Sequence, residues 1–330
     1  MNRNLSRRRA VELLGLGAAA STLGLGEASA SESGAPDRSN PRFYRFNVGD
    51  FQLTVFNDGY KLFQPIQPFW AHQASPNELS STLENAFLPT DHIIAYFNVL
   101  LIDTGKDVLL CDSGFGRLSP VTAGQLAAQL PIAGYHPNQI TAVFLSHAHW
   151  DHFGGLLTPD GKPVFGSAQH FVSTPEWNFW TQKDPDLSQT LLSNEDQNKF
   201  RHNAQETLSV LESKFQKFEP GTELIDGVTT RLAPGHTPGH TILHIQSGHE
   251  ELVHGVDLAH HYVLMFEHPD WTIGVDTVPS EAVSTRKQIF TELAAARTRV
   301  IGYHLPFPGI GHIRANGNVF EWVPEPWRQV

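Results

Sequence analysis

Ser146-His147-Ala148-His149-Trp150-Asp151-His152-Phe153-Gly154-Gly155 directly follows the apolar run Ala142-Val143-Phe144-Leu145. Four side chains able to ligate a metal thus stand within six residues, at the exit of what reads as a buried strand. A chain leaving a strand can aim alternate side chains at one spot. His147 and His149 alternate in this way, and Asp151 and His152 fall to a second spot beside it. Imidazole and carboxylate together suit zinc and similar divalent ions. Gly154 and Gly155 let the backbone turn tightly around the cluster. A surface loop rich in histidine by chance would not be expected behind a core strand.

Outward from this stretch, residues 51–56 alternate apolar and polar, as a half-buried strand does. Residues 95–102 and 108–111 read as a strand pair around the turn Asp103-Thr104-Gly105-Lys106. Further strands are expected at 228–232, 241–246, 251–256 and 300–303. Helical spacing covers 122–132, 174–182 and 195–218, and Pro279-Ser280 reads as the capped start of a helix reaching 297. Strand-rich blocks come first in each half, with helices after them. That order predicts an α/β (α+β) fold of two sheets packed face to face with helices outside, an αββα four-layer sandwich.

Of the 330 residues, 40% are hydrophobic and the formal charge is −11. The chain can bury a large core, and its acidic balance argues against nucleic acid as a partner. Cys111 is the single cysteine, so neither an intrachain disulfide nor a cysteine metal cluster can form. The first thirty residues differ from the rest. Ser6-Arg7-Arg8-Arg9 precedes an apolar Ala/Leu/Gly-rich run at 13–25, and Ala28-Ser29-Ala30 offers a small-residue cleavage site. Residues 1–30 therefore read as a twin-arginine export signal, 31–42 as a flexible lead-in and 43–330 as one catalytic domain. The apolar run is too short for a stable membrane anchor. The expected location is periplasmic or secreted.

The order H-x-H-x-D-H after a strand resembles the hallmark of the metallo-β-lactamase superfamily. Asp112-Ser113-Gly114 is similar to its D-[ST]-G turn, which supports the metal ligands by hydrogen bonds. Gly235-His236-Thr237-Pro238-Gly239-His240 resembles its G-H-T-P-G-H segment, and Asp257 and His304 follow apolar strands where the family places its last ligands. The resemblance implies two divalent metal ions, zinc by default with Mn, Co or Fe as alternatives. One would take His147, His149 and His236; the other, Asp151, His152 and His304; Asp257 would bridge them opposite a shared hydroxide. Such ions sit roughly 3.5–4 Å apart and acidify the shared water. The run His304-Leu305-Pro306-Phe307-Pro308-Gly309-Ile310-Gly311-His312-Ile313-Arg314 resembles the methyl parathion hydrolase, lactonase and arylesterase subgroup.

The resemblance implies a hydrolase of small-molecule lactones or aryl esters, with promiscuous phosphotriesterase activity. An organophosphate triesterase is the alternative. A glyoxalase II-like thioesterase, a β-lactamase and a non-catalytic metal-binding protein fit less well. Asp151, Asp257 and His260 are the expected catalytic groups. His260 lies three residues after Asp257, where lactonase-like relatives place a polar side chain that reaches the substrate oxygen. Trp150, Trp180, Phe307 and His260 are the expected substrate contacts, since aromatic rings can stack on an aryl or lactone ring; Trp177 is as well explained by packing. His240 is expected to pack within its loop. A homodimer is left open.

Overall fold

The structure, a computed structural model, describes residues 42–326 except Val121. The expected export signal, and all but Arg42 of the expected lead-in, lie outside the described residues. The first sheet runs in chain order through β1 (Phe43–Val48), β2 (Phe51–Phe63), β3 (Ile93–Asp103), β4 (Val108–Cys111), β5 (Ala142–Leu145), β6 (Gln169–Ser173) and β7 (Phe215–Phe218). The second runs through β8 (Glu223–Ile225), β9 (Val228–Leu232), β10 (Thr241–Ser247), β11 (Glu250–Val256), β12 (Arg299–Gly302), β13 (Ile310–Asn316) and β14 (Val319–Pro324). The helices are α1 (Pro76–Asn85), α2 (Leu126–Ile132), α3 (Trp150–Phe153), α4 (Thr174–Trp180), α5 (Asn194–Val210), α6 (Leu264–Glu267) and α7 (Pro279–Ala296).

The two sheets share a buried apolar layer. Val55, Leu100, Ile102, Leu109 and Phe144 of the first meet Val228, Leu243, Ile245, Leu252 and Ile301 of the second. The expected sandwich is therefore the observed fold. β4 to β7 pair in parallel, as do β11 and β12, while the other neighbours are antiparallel. Parallel strands are covered on both faces, which explains why β5 is an unbroken run of buried apolar residues. Asp112, residues 146–152, Asp257 and His304 all follow the C-terminal ends of such strands, so the parallel segments of both sheets deliver every donor but His236, which follows the antiparallel β9, to one edge of the sandwich.

Several expected boundaries differ: the strand expected over 51–56 runs on to Phe63, and the helix expected over 122–132 begins only at Leu126. The helix expected over 195–218 ends at Val210, and Phe215–Phe218 is strand β7, paired with β6. α7 starts at Pro279 after Val278, without the expected side-chain cap. Among the described residues no helix is long and apolar enough to cross a membrane.

His170 in β6 is buried, with its Nδ1 against the carbonyl of Ala168. Burial lowers its imidazole to about 4, from 6.5. The depressed value means that neutral His170 supports the fold above pH 6.5, and that this support is lost as pH falls through about 4. The metal-free protein is expected to lose on the order of 2 kcal/mol over that window from this group. Thermal melts at stepped pH should show His170→Leu flattening the acid limb; an unchanged limb would remove His170 as its cause.

Candidate metal centre

Three of the histidine donors reach the centre with their rings fixed by another group. His152 donates from Nδ1 to Asp112 Oδ2 at 2.8 Å, and Asp112 also accepts from the Ser146 backbone N–H and hydroxyl. His236 donates from Nδ1 to Asp276 Oδ1 at 2.8 Å, and His304 from Nδ1 to the Tyr96 carbonyl at 2.8 Å. In all three the Nε2 lone pair is left for the cluster, the arrangement that orients a metal-ligating histidine. Asp276 and Tyr96 carry no motif and were not anticipated. The expected support from Asp112 is present.

The donor atoms crowd against one another. His236 Nε2 lies 3.0 Å from His149 Nδ1 and 3.2 Å from His147 Nε2. Three nitrogens aimed at one point call for a cation between them. Asp257 Oδ2 lies 3.2 Å from the Nε2 atoms of His236, His260 and His304 and 3.3 Å from that of His152. Asp151 Oδ2 lies 3.5 Å from the Nε2 atoms of His152 and His304. Among the described residues, His152 Nε2 and Asp257 Oδ1 are buried with no hydrogen-bond partner. Buried polar atoms are rarely left so, and a metal is what would satisfy them. The residues present therefore fit two ions. The groups able to hold them are His147, His149 and His236; His147, His152 and Asp257; and Asp151, His152 and His304. All seven expected donors meet in one place. His260 joins His236 and Asp257 in a further group, which the ligand motif did not assign.

Burial holds His147 and His149 well below the usual imidazole range, so both offer neutral nitrogens. Burial alone would raise Asp257, but the imidazoles of His304, His152, His260 and His147 outweigh it and keep its carboxylate ionised. Burial opposes charge on His236, yet Asp257 and Asp276 raise it to about 9. Metal binding must displace that proton, so affinity falls as pH falls. Burial brings His260 down to about 4 in spite of Asp257, so it is neutral near pH 7.

Backbone geometry at the strand ends is unusual. Val256, just before Asp257, has φ +46°, and Asp112 has φ +65°. A left-handed β-branched residue costs roughly 1–3 kcal/mol, strain of the kind that surrounding structure tolerates at functional sites. At Gly154 and Gly155, an added Cβ would lie 2.0 Å from the Phe115 carbonyl oxygen and 2.1 Å from that of Ser113. The expected tight turn is thus a close packing of the His-rich loop on the Asp112 loop.

The sequence signature of the metallo-beta-lactamase superfamily matches residues 97–287, from β3 into α7, and takes in every donor but His304. The chain belongs to the metallo-β-lactamase superfamily. Its centre is that of a metal-dependent hydrolase. Among solved structures it is similar to AidC, a dizinc quorum-quenching lactonase in complex with a product, N-hexanoyl-L-homoserine. Identity there is 33% over 87% of this chain and 98% of that one, with a TM-score of 0.84. The hydrolase AbOPH of the beta lactamase superfamily is 26% identical over 88% of this chain and all of that one, with a TM-score of 0.80. A probable metal-dependent hydrolase from Staphylococcus aureus shares the fold at 20% identity, over 86% of this chain and 100% of that one, with a TM-score of 0.70. No curated protein matches the chain.

The donors form the floor of a cavity of about 510 Å³. His149, Asp151, His236, Asp257, His260 and His304 line its base. Phe63, Phe69, Trp150, Phe200, Ile273 and Val275 are among its apolar walls. Trp150 is at the expected place, its ring 4.4 Å from that of Phe200. Trp180 and Phe307 are not, and both expectations are corrected. Trp180 is fully buried, donates from Nε1 to Glu176 and packs edge-on beneath His149. Phe307 packs against the layer between the sheets and does not line the cavity. Trp177 is buried beside Phe215 under the Lys217 ammonium. His240 donates from Nδ1 to the Ala233 carbonyl and accepts the Asp257 backbone N–H at Nε2, which braces Asp257.

Proposed function

We propose that the protein hydrolyses lactones carrying an apolar substituent, N-acyl homoserine lactones foremost, with aryl esters and phosphotriesters as secondary substrates. The observation that carries this reading is the cavity: a polar donor floor under largely apolar walls. A lactone ring fits the floor, and an acyl tail fits the walls. Away from the floor, the charged wall groups Lys61 and Asp196 oppose each other in sign, so no anion site is built there. The likeness to AidC supports the same substrate class.

Two divalent cations, zinc by the donor chemistry, would be held by His147, His149 and His236 and by Asp151, His152 and His304 around Asp257, and would supply Lewis acidity toward the scissile carbonyl and toward water. Asp112, Asp276 and Tyr96 keep protons on the Nδ1 atoms of His152, His236 and His304, so these rings do not drift. Asp151 is the more exposed carboxylate of the floor, 16% against 2% for Asp257. It is placed to take the proton released by the attacking water and return it to the leaving oxygen. His260, neutral at the floor, donates from Nε2 to the substrate oxygen. Trp150 and Phe200 exclude water above the ring, and Phe63, Phe69, Ile273 and Val275 receive the tail.

A panel of lactones with short and long acyl tails, aryl esters, a phosphotriester and a cephalosporin on metal-loaded enzyme tests this. Long-tailed lactones should give the highest kcat/KM, and Trp150→Ala should raise their KM about tenfold, the scale of a lost apolar contact. A preference for the phosphotriester would overturn the reading. We further propose export by the twin-arginine route, on the motif Ser6-Arg7-Arg8-Arg9. Cell fractionation should find the enzyme outside the cytoplasm, and replacement of Arg7 and Arg8 by lysine should retain it inside; equal distribution of the two forms would end that proposal.

A further inference from the structure

Trp70 stands where the chain turns back after β2, bridged to Ile273, and is 1% exposed. Phe63 and Phe69 pack edge-on against its ring at 5.3 and 6.3 Å. Among the described residues its Nε1–H is buried and has no acceptor. Buried indole N–H groups usually find a partner, and one left unpaired costs about 1–3 kcal/mol. The imidazole of His260 lies beside it, ring centroids 6.3 Å apart and planes at 81°. His260 Nδ1 is itself buried and without a partner. A donor lacking an acceptor thus adjoins a nitrogen lacking a donor. The two nitrogens do not meet in hydrogen-bonding geometry in this structure, so the contact requires the two rings to close on each other.

His261 is also edge-on to Trp70, at 6.4 Å. Its Nδ1 already accepts the backbone N–H groups of Val263 and Leu264, both at 3.2 Å. A neutral His261 therefore carries its proton on Nε2 and has no lone pair to offer the indole. His260 is the acceptor that remains.

We propose that the Trp70 indole N–H donates to His260 Nδ1 and fixes His260 as its Nε2–H tautomer. Trp70 is then a positioning residue. The tautomer decides between two roles for His260. It lies with His236 and Asp257 in a group able to hold a metal, with Nε2 3.2 Å from Asp257 Oδ2 but outside hydrogen-bonding geometry. A protonated Nε2 has no lone pair, so His260 stays out of the ligand set and presents a donor to the cavity. If the proton moved to Nδ1, Nε2 would become an additional ligand and the donor would be lost. The catalytic consequence rests on the role given to His260 under the proposed function; the tautomer does not.

The test uses the zinc-loaded full chain with ¹⁵N-labelled histidine, the His260 signals being assigned by their loss in His260→Gln. Long-range proton–nitrogen spectra of the wild type should show protonated Nε2 and bare Nδ1 for His260. Nδ1–H in the wild type would overturn the proposal outright. Trp70→Phe keeps a ring and removes the N–H. Should that variant fold poorly, a benzothienyl-alanine at position 70 keeps the bicyclic shape without the donor. In either, the His260 signals should shift toward the other tautomer, and the visible spectrum of the cobalt-loaded form should move toward higher coordination. Lactone kcat should fall about tenfold with KM unchanged, the scale of one hydrogen bond. Unchanged His260 signals would sink the proposal. In a His260→Gln background, loss of the indole N–H should cost nothing further in kcat, and additive losses would count against it. If His260→Gln alone leaves turnover intact, the donor role of His260 fails, while the tautomer measurement still decides the Trp70 contact.

Discussion

Asp257→Asn is expected to lower lactone hydrolysis on the order of 10³-fold and to leave the chain with fewer than two metal ions. The substitution changes one oxygen to an amide and keeps the shape. Yet Asp257 Oδ2 is the atom on which His236, His260 and His304 converge at 3.2 Å, His152 at 3.3 Å and His147 at 3.6 Å. Two cations held mainly by neutral imidazoles, with Asp151 the one other carboxylate in the donor set, would need the Asp257 anion beside them, and an amide supplies none. The loss expected is that of a preorganised electrostatic contact in a dry site. The elevated value of His236 also depends on Asp257, so the metal-free variant should release that proton at lower pH. Elemental analysis and steady-state kinetics check the claim together. Two full equivalents of metal with activity within tenfold of wild type would show that Asp257 does not bridge.

The donors could be read from sequence because five of the seven lie in short motifs and the other two close apolar strands. Strand order then carries each to the same edge, and local spacing plus strand pairing suffices. The cavity wall obeys no such rule. Phe63, Phe69, Phe200, Ile273 and Val275 come from segments that have no motif, and only the tertiary fold joins them. Trp180 was misread for a definable reason. Glu176, Trp177, Phe179 and Trp180 are all buried and Asn178 alone is exposed, so α4 has too narrow an exposed face from which to infer the opposite one. The carboxylate of Glu176, one turn back, then captures the indole N–H and turns it from the cavity. β7 was misread because Phe215 and Phe218 have a spacing that suits both a helix turn and a short buried strand. Asp276 and Glu176 were missed because a lone acid in a sequence does not reveal which backbone it will meet.

Glu176→Ala is expected to destabilise the protein by about 4 kcal/mol, although Glu176 touches no donor of the metal centre. The carboxylate is fully buried and accepts four hydrogen bonds. Oε1 takes the Ala148 backbone N–H at 2.8 Å and Trp180 Nε1–H at 2.7 Å, and Oε2 takes the Thr237 hydroxyl at 2.6 Å and the Gly239 backbone N–H at 3.0 Å. Burial raises its pKa even against these bonds, so the charged form is held at a cost that only the complete set offsets. Removing the side chain strands all four donors, each worth about 1–3 kcal/mol if dry, less where water enters the space left. Gln is expected to fall between, because its amide keeps one acceptor and sets a second donor against the others. The neighbours decide the functional consequence. Ala148 separates His147 from His149, and Thr237 and Gly239 follow His236, so one carboxylate ties together the two segments that carry His147, His149 and His236. Packing leaves no slack there: a Cβ at Gly239 would meet the Glu176 backbone nitrogen at 2.1 Å. Metal affinity should therefore fall about 10–100-fold with the stability, as it does when an outer hydrogen-bond partner is lost. Urea midpoints on the metal-free chain measure the first effect and chelator competition the second. A midpoint shift equivalent to less than about 1 kcal/mol, a single average hydrogen bond, would mean that the four contacts are not held together in solution.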